Sequence, residues 1–239
     1  MGALACGSSG GGDAAGGGGS SGSATGASAG SGPAHVCNGE EMRSGEATYY
    51  DFADGSGNCG FDKSPEDLMI GAMNHDDYAD SAACGACVEL TGPNGALTIR
   101  VVDQCPECPK GDIDLSPDAF AKIADLSAGR VPISWQYAGC AVDGPIRYHF
   151  KEGSNPYWTA VQIRNHRYAV AKLEYQSPDG SWKAVERLDY NFFVEASGMG
   201  AGPYAFRVTD VYGQVLEDSG VPFVEAGDSP GKAQFPACE

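Results

Sequence analysis

Residues 97–124 read LTIRVVDQCPECPKGDIDLSPDAFAKIA, and several structural signals are packed into that stretch. Leu97–Val102 is a β-branched apolar run, which predicts a strand running up to Asp103. Ile113-Asp114-Leu115 alternates, so the two apolar side chains turn one way and Asp114 the other, onto an open face. Ser116 is then a good N-cap, Pro117 suits the first helical position, and Asp118 complements the positive helix end. Phe120, Ile123 and Ala124 recur at helical spacing and give a short helix one apolar face to lay on a barrel or sheet.

Outward from this stretch the pattern is almost entirely β. Before it, short strands are expected at Ala47–Phe52, Leu68–Ala72 and Cys87–Leu90; after it, at Ile133–Tyr137. Beyond Val142-Asp143-Gly144-Pro145 a second series begins: Ile146–Phe150, Thr159–Arg164, Val170–Tyr175, Lys183–Leu188, Asn191–Val194, Ala205–Thr209 and Val215–Asp218. These short alternating runs sit at sandwich-like intervals, with hairpin-type turns at Pro178-Asp179-Gly180 and Tyr212-Gly213. Residues 7–34 are almost wholly Gly, Ser and Ala, which cannot bury enough surface to offset chain entropy and read as a flexible tether. The expected organisation is 1–36 as signal remnant and tether, 37–142 as a first β domain and 143–239 as a second.

Composition removes several functions. The 239 residues suffice for one large or two small domains with a real core. Only 15 basic side chains stand against 32 acidic ones, a formal charge of −17. Too few cations remain to neutralise a phosphate backbone, which excludes nucleic acid as the partner. No apolar run reaches the roughly 18 residues of a membrane helix. The acidity is concentrated in the first domain: residues 38–141 carry 6 basic and 18 acidic side chains, residues 145–239 carry 9 and 12.

Nine cysteines occur, at 6, 37, 59, 84, 87, 105, 108, 140 and 238. The eight that follow the low-complexity segment form an even set, which reads as a disulfide framework from an oxidising compartment. Cys84/Cys87 and Cys105/Cys108 each have Cys-x-x-Cys spacing, and zinc is the alternative. The scatter of the other four cysteines and the strand-like segment between the pairs favour disulfides. The opening Met-Gly-Ala-Leu-Ala-Cys resembles the end of a lipoprotein signal, with Cys6 as the acylated residue; an odd cysteine in a tail is the plainer reading.

Two groups of residues could carry chemistry. Asp103 and Asp114, brought together, have the makings of a glycoside acid/base pair, one protonating a leaving oxygen while the other activates water. Equally, an Asp before Ser-Pro can simply cap the helix, and spacing alone favours that. In the second domain, Tyr157-Trp158 follows the turn Gly153-Ser154-Asn155-Pro156, and Tyr190 sits in Leu188-Asp189-Tyr190-Asn191. A flat row of exposed aromatics suits the faces of pyranose rings, but Trp158 is also placed to be the buried tryptophan of a sandwich. His75-Asp76-Asp77 reads as a polar turn, and His149 and His166 as partly buried strand residues. No zinc-protease, phosphate-loop, serine-hydrolase or dinucleotide motif is present, so neither a metal nor a cofactor is expected.

The chain resembles the bacterial expansins from about Gly45 to Pro236. The marks are Gly45-Glu46-Ala47-Thr48-Tyr49-Tyr50, Val102-Asp103, Asp114–Phe120, Lys151-Glu152-Gly153-Ser154, Val161–His166, Asp189-Tyr190-Asn191 and Gln234-Phe235-Pro236, while Cys84-Gly85-Ala86-Cys87 looks like the plant and fungal branch. The resemblance implies an all-β chain: a six-stranded double-psi β-barrel with a short helix, followed by an immunoglobulin-like sandwich classed as a family 63 carbohydrate-binding module. It implies that Asp114 is the residue essential for wall loosening, with Thr48 and Asp103 lining the same groove. Tyr157, Trp158 and Tyr190 become the cellulose-binding platform, with Lys151 beside it and Tyr50 added to the polysaccharide-binding set. Expansins lack the catalytic base of related endoglucanases, so the implied activity is loosening of non-covalent contacts between polysaccharides without hydrolysis.

The departures from the family pattern are Cys105 in place of a groove tyrosine, Tyr157 in place of tryptophan, and an acidic first domain. By analogy with the plant pattern Cys59–Cys84 and Cys87–Cys140 are expected, which leaves Cys105–Cys108 and Cys37–Cys238. A Cys37–Cys59 bridge with Cys84 re-paired competes. The expected protein is a monomer, secreted or tethered at the cell surface, whose partners are cellulose and related β-glucans, with peptidoglycan as a further candidate. The alternatives are a weak endoglucanase, a peptidoglycan lytic transglycosylase, or a purely adhesive cellulose binder.

Overall fold

A computed structural model describes residues 41–51 and 53–238. The tether, Cys6 and Cys37 lie outside the described residues.

The first domain runs β1 (Arg43–Tyr49), β2 (Ile70–Asn74), a single turn α1 (His75–Tyr78), β3 (Cys87–Gly92), β4 (Gly95–Cys105), β5 (Ile113–Leu115), α2 (Pro117–Ile123) and β6 (Val131–Ala138). The six strands close into a barrel in the order β1-β5-β2-β4-β3-β6. Contacts β1/β5 and β2/β4 are parallel; the others are antiparallel. Period-two alternation sends Ala47, Leu90, Ile99, Val101, Ile113, Leu115 and Trp135 into the core. Buried Trp135 is satisfied, since its indole N–H donates to the Gly111 carbonyl at 2.7 Å. That loop passes so close to β1 that a Cβ on Gly45 would sit 2.2 Å from the Gly111 oxygen.

Helix α2 follows the sequence reading. Ser116 Oγ accepts from the Ala119 N–H at 3.0 Å, and Ala119, Phe120 and Ile123 are buried against the barrel. Three expectations are corrected. Strand β4 does not stop at Asp103 but continues to Cys105, because β2 pairs with it as far as Asn74↔Cys105. Strand β1 starts four residues before the expected Ala47, since β6 pairs with Arg43–Ala47, where the sequence shows no alternation. The turn at His75 is a short helix, capped by the Asn74 side chain accepting from Asp77 N–H at 3.0 Å.

The second domain runs β7 (Arg147–Phe150), β8 (Thr159–Arg164), β9 (Val170–Gln176), β10 (Trp182–Arg187), β11 (Phe193–Glu195), β12 (Tyr204–Asp210), β13 (Val215–Val221) and β14 (Gly227–Pro230). The order is β13-β12-β9-β10-β11-β8-β7-β14. Strand β10 belongs to both halves: Trp182–Val185 pair with β9, and Glu186–Arg187 with β11. The sheet folds over at that point, and its halves face each other across a shared core, with Tyr148 of β7 stacked 4.8 Å from Phe206 of β12. Strand β14 has no apolar alternation to predict it; as an edge strand it tolerates Pro230. His166 is corrected from a partly buried strand residue to a fully buried one just beyond β8.

Disulfides join Cys59–Cys84, Cys87–Cys140 and Cys105–Cys108. The first of these excludes the competing Cys37–Cys59 pairing. Cys238 is also disulfide-bonded.

Candidate polysaccharide-binding surface

Strand register assembles the barrel groove. Asp103 on β4 lies opposite Ala72 on β2, Ala72 opposite Asp114 on β5, and Asp114 opposite Thr48 on β1. The four residues form one row across four neighbouring strands. Ile113 and Leu115 are fully buried in the barrel, so Asp114 between them points outward. The Ala72 methyl leaves a shallow floor between the two carboxylates, whose backbones stand two strand spacings apart, roughly 9–10 Å.

The two carboxylates are held differently. Asp103 Oδ1 accepts from the backbone N–H groups of Asn58 (2.7 Å) and Gln104 (2.8 Å), so it organises the 57–60 loop. Asp114 accepts from the Thr48 hydroxyl and takes no part in capping α2, which Ser116 does instead. Burial pushes the Asp114 carboxyl above its ordinary range. The Thr48 bond and Arg130 oppose that shift, and the charges of Glu107 and Asp103 add to it. Glu107 belongs to the Cys105–Cys108 loop, so that loop brings negative charge to the groove. Tyr50 is half-buried beside the row; its hydroxyl is buried without a hydrogen-bond partner among the described residues, and burial beside Asp103 and Asp114 drives its pKa far up.

The aromatic group in the second domain is built from turns. Asn155 and Trp158 exchange backbone hydrogen bonds at 2.7 and 3.2 Å, with Pro156 and Tyr157 at the tip. Asn155 Oδ1 accepts from the Tyr157 N–H at 2.9 Å, and Tyr157 is left 83% exposed. Gly198 underlies the turn at positive φ, where a Cβ would meet the Pro156 oxygen at 2.1 Å. Trp158 is half-buried and continues the alternation of Ala160 and Gln162, opposite to core residues Val161 and Ile163. It therefore lies on the outer face of the sheet and is not a core tryptophan. Tyr190 packs on Phe192 with ring centroids 5.9 Å apart, and the Lys151 ammonium lies 5.3 Å from the same ring.

The two surfaces meet at the 57–62 loop. Gln162 Nε2 donates to the Cys59 carbonyl at 2.8 Å, Arg164 pairs with Asp62 at 2.7 Å, and Asn58 Nδ2 donates to the Asp189 carbonyl at 2.8 Å. Asn58 thus touches the residue before Tyr190 through its side chain while its backbone N–H binds Asp103. A shallow basin bordered by Asn58, Lys151, Tyr190 and Phe192 lies between them.

Residues 70–135 match a family model described as "Lytic transglycolase". Expansin-YoaJ of Bacillus subtilis is 37% identical over 206 residues, covering 82% of this chain and 88% of the relative. The chain belongs to the expansin family. Among solved structures, the expansin of Clavibacter michiganensis in its apo form aligns with a TM-score of 0.77 at 30% identity, covering 83% of this chain and all of that one. An aspartate-to-asparagine mutant of the same protein, solved in complex with cellohexaose, aligns equally well. Expansin-like protein 2 of Dictyostelium discoideum is 29% identical over 185 residues, 73% of this chain and 45% of its own length.

In this expansin, sequence reasoning named Asp114, Thr48, Asp103, Tyr157, Trp158, Tyr190 and Lys151, but missed the residues that connect them. Asn58 carried no signal in its Gly/Ser-rich stretch. Phe192 lay within a run already read as strand, and its place beneath Tyr190 and Lys151 follows only from the left-handed turn at Asn191 (φ 64°).

Proposed function

We propose that this expansin binds cellulose and related β-glucans and loosens wall polysaccharides without hydrolysing them. One observation carries the non-hydrolytic reading. A glycosidase needs two carboxylates flanking the scissile bond, whereas here two backbone N–H groups on Oδ1 tie Asp103 to the groove wall, which leaves Asp114, bonded to Thr48, as the one carboxylate directed at a glycan. Asp114 then acts by hydrogen-bonding the glycan in the groove, with Thr48 orienting it and Asp103 fixing the groove wall. Tyr157, Trp158 and Tyr190 hold the polymer by stacking, with Lys151 beside them. The disulfides fit an extracellular protein. Residues 37–142 and 143–239 serve as groove and binding domains of a monomer, and residues 1–36, acylated at Cys6, as a surface tether.

The test is reducing-sugar release from amorphous cellulose beside a pull-down on crystalline cellulose and a paper-weakening assay. Binding and weakening without released sugar are expected, with weakening lost and binding kept in Asp114→Ala. Unchanged weakening in that variant would instead support simple adhesion.

A second reading has one specific support. The barrel matches the lytic transglycosylase model, and such cleavage does not consume water. Asp114, held toward its protonated form by burial, would be the acid. Soluble muropeptides released from peptidoglycan and abolished by Asp114→Ala would establish it.

A further inference from the structure

Away from the groove, on the side of the joint formed by the Cys87–Cys140 disulfide, lies a cleft of about 490 Å³ bordered by both domains. Arg100, on the outer face of β4, points its guanidinium into it over the ring of Phe61 at 5.4 Å. Three other cations of the barrel are paired, Arg43 with Asp77, Lys63 with Asp54, and Arg130 with Glu46 and Asp112, while Lys110 and Lys122 are exposed to water. Arg100 forms no ion pair among the described residues. Its one side-chain hydrogen bond among the described residues is a long one, 3.5 Å to Ser64 Oγ, and its Nε–H is buried without an acceptor there. Asp67, on the rim, attracts it only at longer range. A desolvated guanidinium with an empty donor is costly, and packing alone gives no reason to keep one there in so acidic a domain.

Two residues with a spare acceptor line the same cleft. His166 Nδ1 lies 2.8 Å from the Tyr168 carbonyl and must donate to it, which leaves Nε2 as a lone-pair acceptor in the neutral ring. Burial holds that ring neutral, with its pKa lowered to about 4. Asn165 Nδ2 donates to the carbonyls of Asp143 and Pro145 at 2.9 and 2.8 Å, leaving Oδ1 without a donor among the described residues.

We propose that this cleft binds a single uronic-acid unit, its carboxylate on the Arg100 fork and its ring hydroxyls on His166 Nε2 and Asn165 Oδ1. The cleft is several times larger than a carboxylate, and its acceptors match sugar hydroxyls. The net charge of −17 opposes a continuous polyanion, which singles out an isolated acidic unit on an otherwise neutral wall glycan. This goes beyond cellulose binding and rests on none of the groove or platform residues.

The experiment is an amide-resolved NMR titration of the full chain with glucuronate, with methyl glucoside, acetate and sulfate as separate arms. Glucuronate is expected to shift the amides of Met69, Gly85, Thr98 and Asn165. Methyl glucoside and acetate should each bind at least about ten-fold more weakly, the difference one charge-assisted fork makes. Arg100→Gln should lose the response, and Arg100→Lys, which keeps the charge without the fork, should retain a fraction of it. Both variants should keep wild-type cellulose pull-down, so that failure here is separable from failure of the platform. Absence of cleft shifts, an undiminished response in Arg100→Gln, or equal binding of acetate or sulfate would each overturn the proposal.

Discussion

Asp114 in the barrel and Tyr157 in the second domain both belong to the proposed binding surface, yet the fold holds them in opposite ways. Asp114 is fixed by strand register and half-desolvated, in a row whose neighbours come from four strands. Tyr157 rides at the tip of a four-residue turn and is almost fully exposed. The first arrangement makes a charge sensitive to its surroundings, because burial and nearby carboxylates act on it. The second presents an aromatic ring to solvent. The proposed division into a groove that discriminates and a platform that adheres rests on that difference.

The largest expected effect tests how the two are joined. The Cys59–Cys84 bridge spans 25 residues and anchors the loop that meets both Asp103 and the second domain. Replacing both cysteines by Ser should cost about 3 kcal/mol, read as a lower calorimetric Tm. Weakening activity should fall with it while cellulose pull-down persists; equal loss of both would show that groove and platform do not act separately.

The joint also carries a pH dependence. His166 is fully buried with a pKa of about 4 against an ordinary 6.5. The unfolded chain therefore takes up the proton first. Stability is complete above about pH 6.5 and drains away down to about pH 4, by about 3 kcal/mol. His166→Asn, which keeps a donor toward Tyr168, should flatten that part of a Tm-against-pH curve. A wild-type curve already flat between those values would remove the joint as its source.

Stripping the platform should be milder for the fold. Tyr157→Ala with Trp158→Ala should weaken cellulose pull-down by about 2 kcal/mol, some thirty-fold, on the scale of two aromatic contacts. A strongly altered Tm would mean that Trp158 is a packing residue after all.

The smallest effect sharpens the contrast. Because burial raises the Asp114 pKa, its charge destabilises the fold as pH rises through that pKa. Asp114→Asn should stabilise the barrel slightly at neutral pH while removing weakening activity. Denaturant midpoints at pH 7 and pH 3 would show the gain only at the higher pH.

Local chemistry was readable without a structure. Ser116-Pro117 announced α2, alternation placed Asp114 opposite Ile113 and Leu115, and Thr159–Arg164 emerged with its predicted bounds. Those signals live in adjacent residues. What could not be read was anything set by partners distant in the chain. Strand β14 exists because β7 has a free edge, and β1 begins at Arg43 because β6 lies beside it.

The same division runs through the function. Residue types, their order and the cysteine framework determined that this is an all-β, disulfide-linked expansin that carries Asp114 and an aromatic cluster. Tertiary structure decided that Asp103 Oδ1 is bonded by Asn58 and Gln104, that Trp158 faces outward, and that Arg100 has no ion pair among the described residues and a buried Nε–H without an acceptor. Register, burial and the partner of each polar atom arise only when segments far apart in sequence pack together, so no local pattern encodes them.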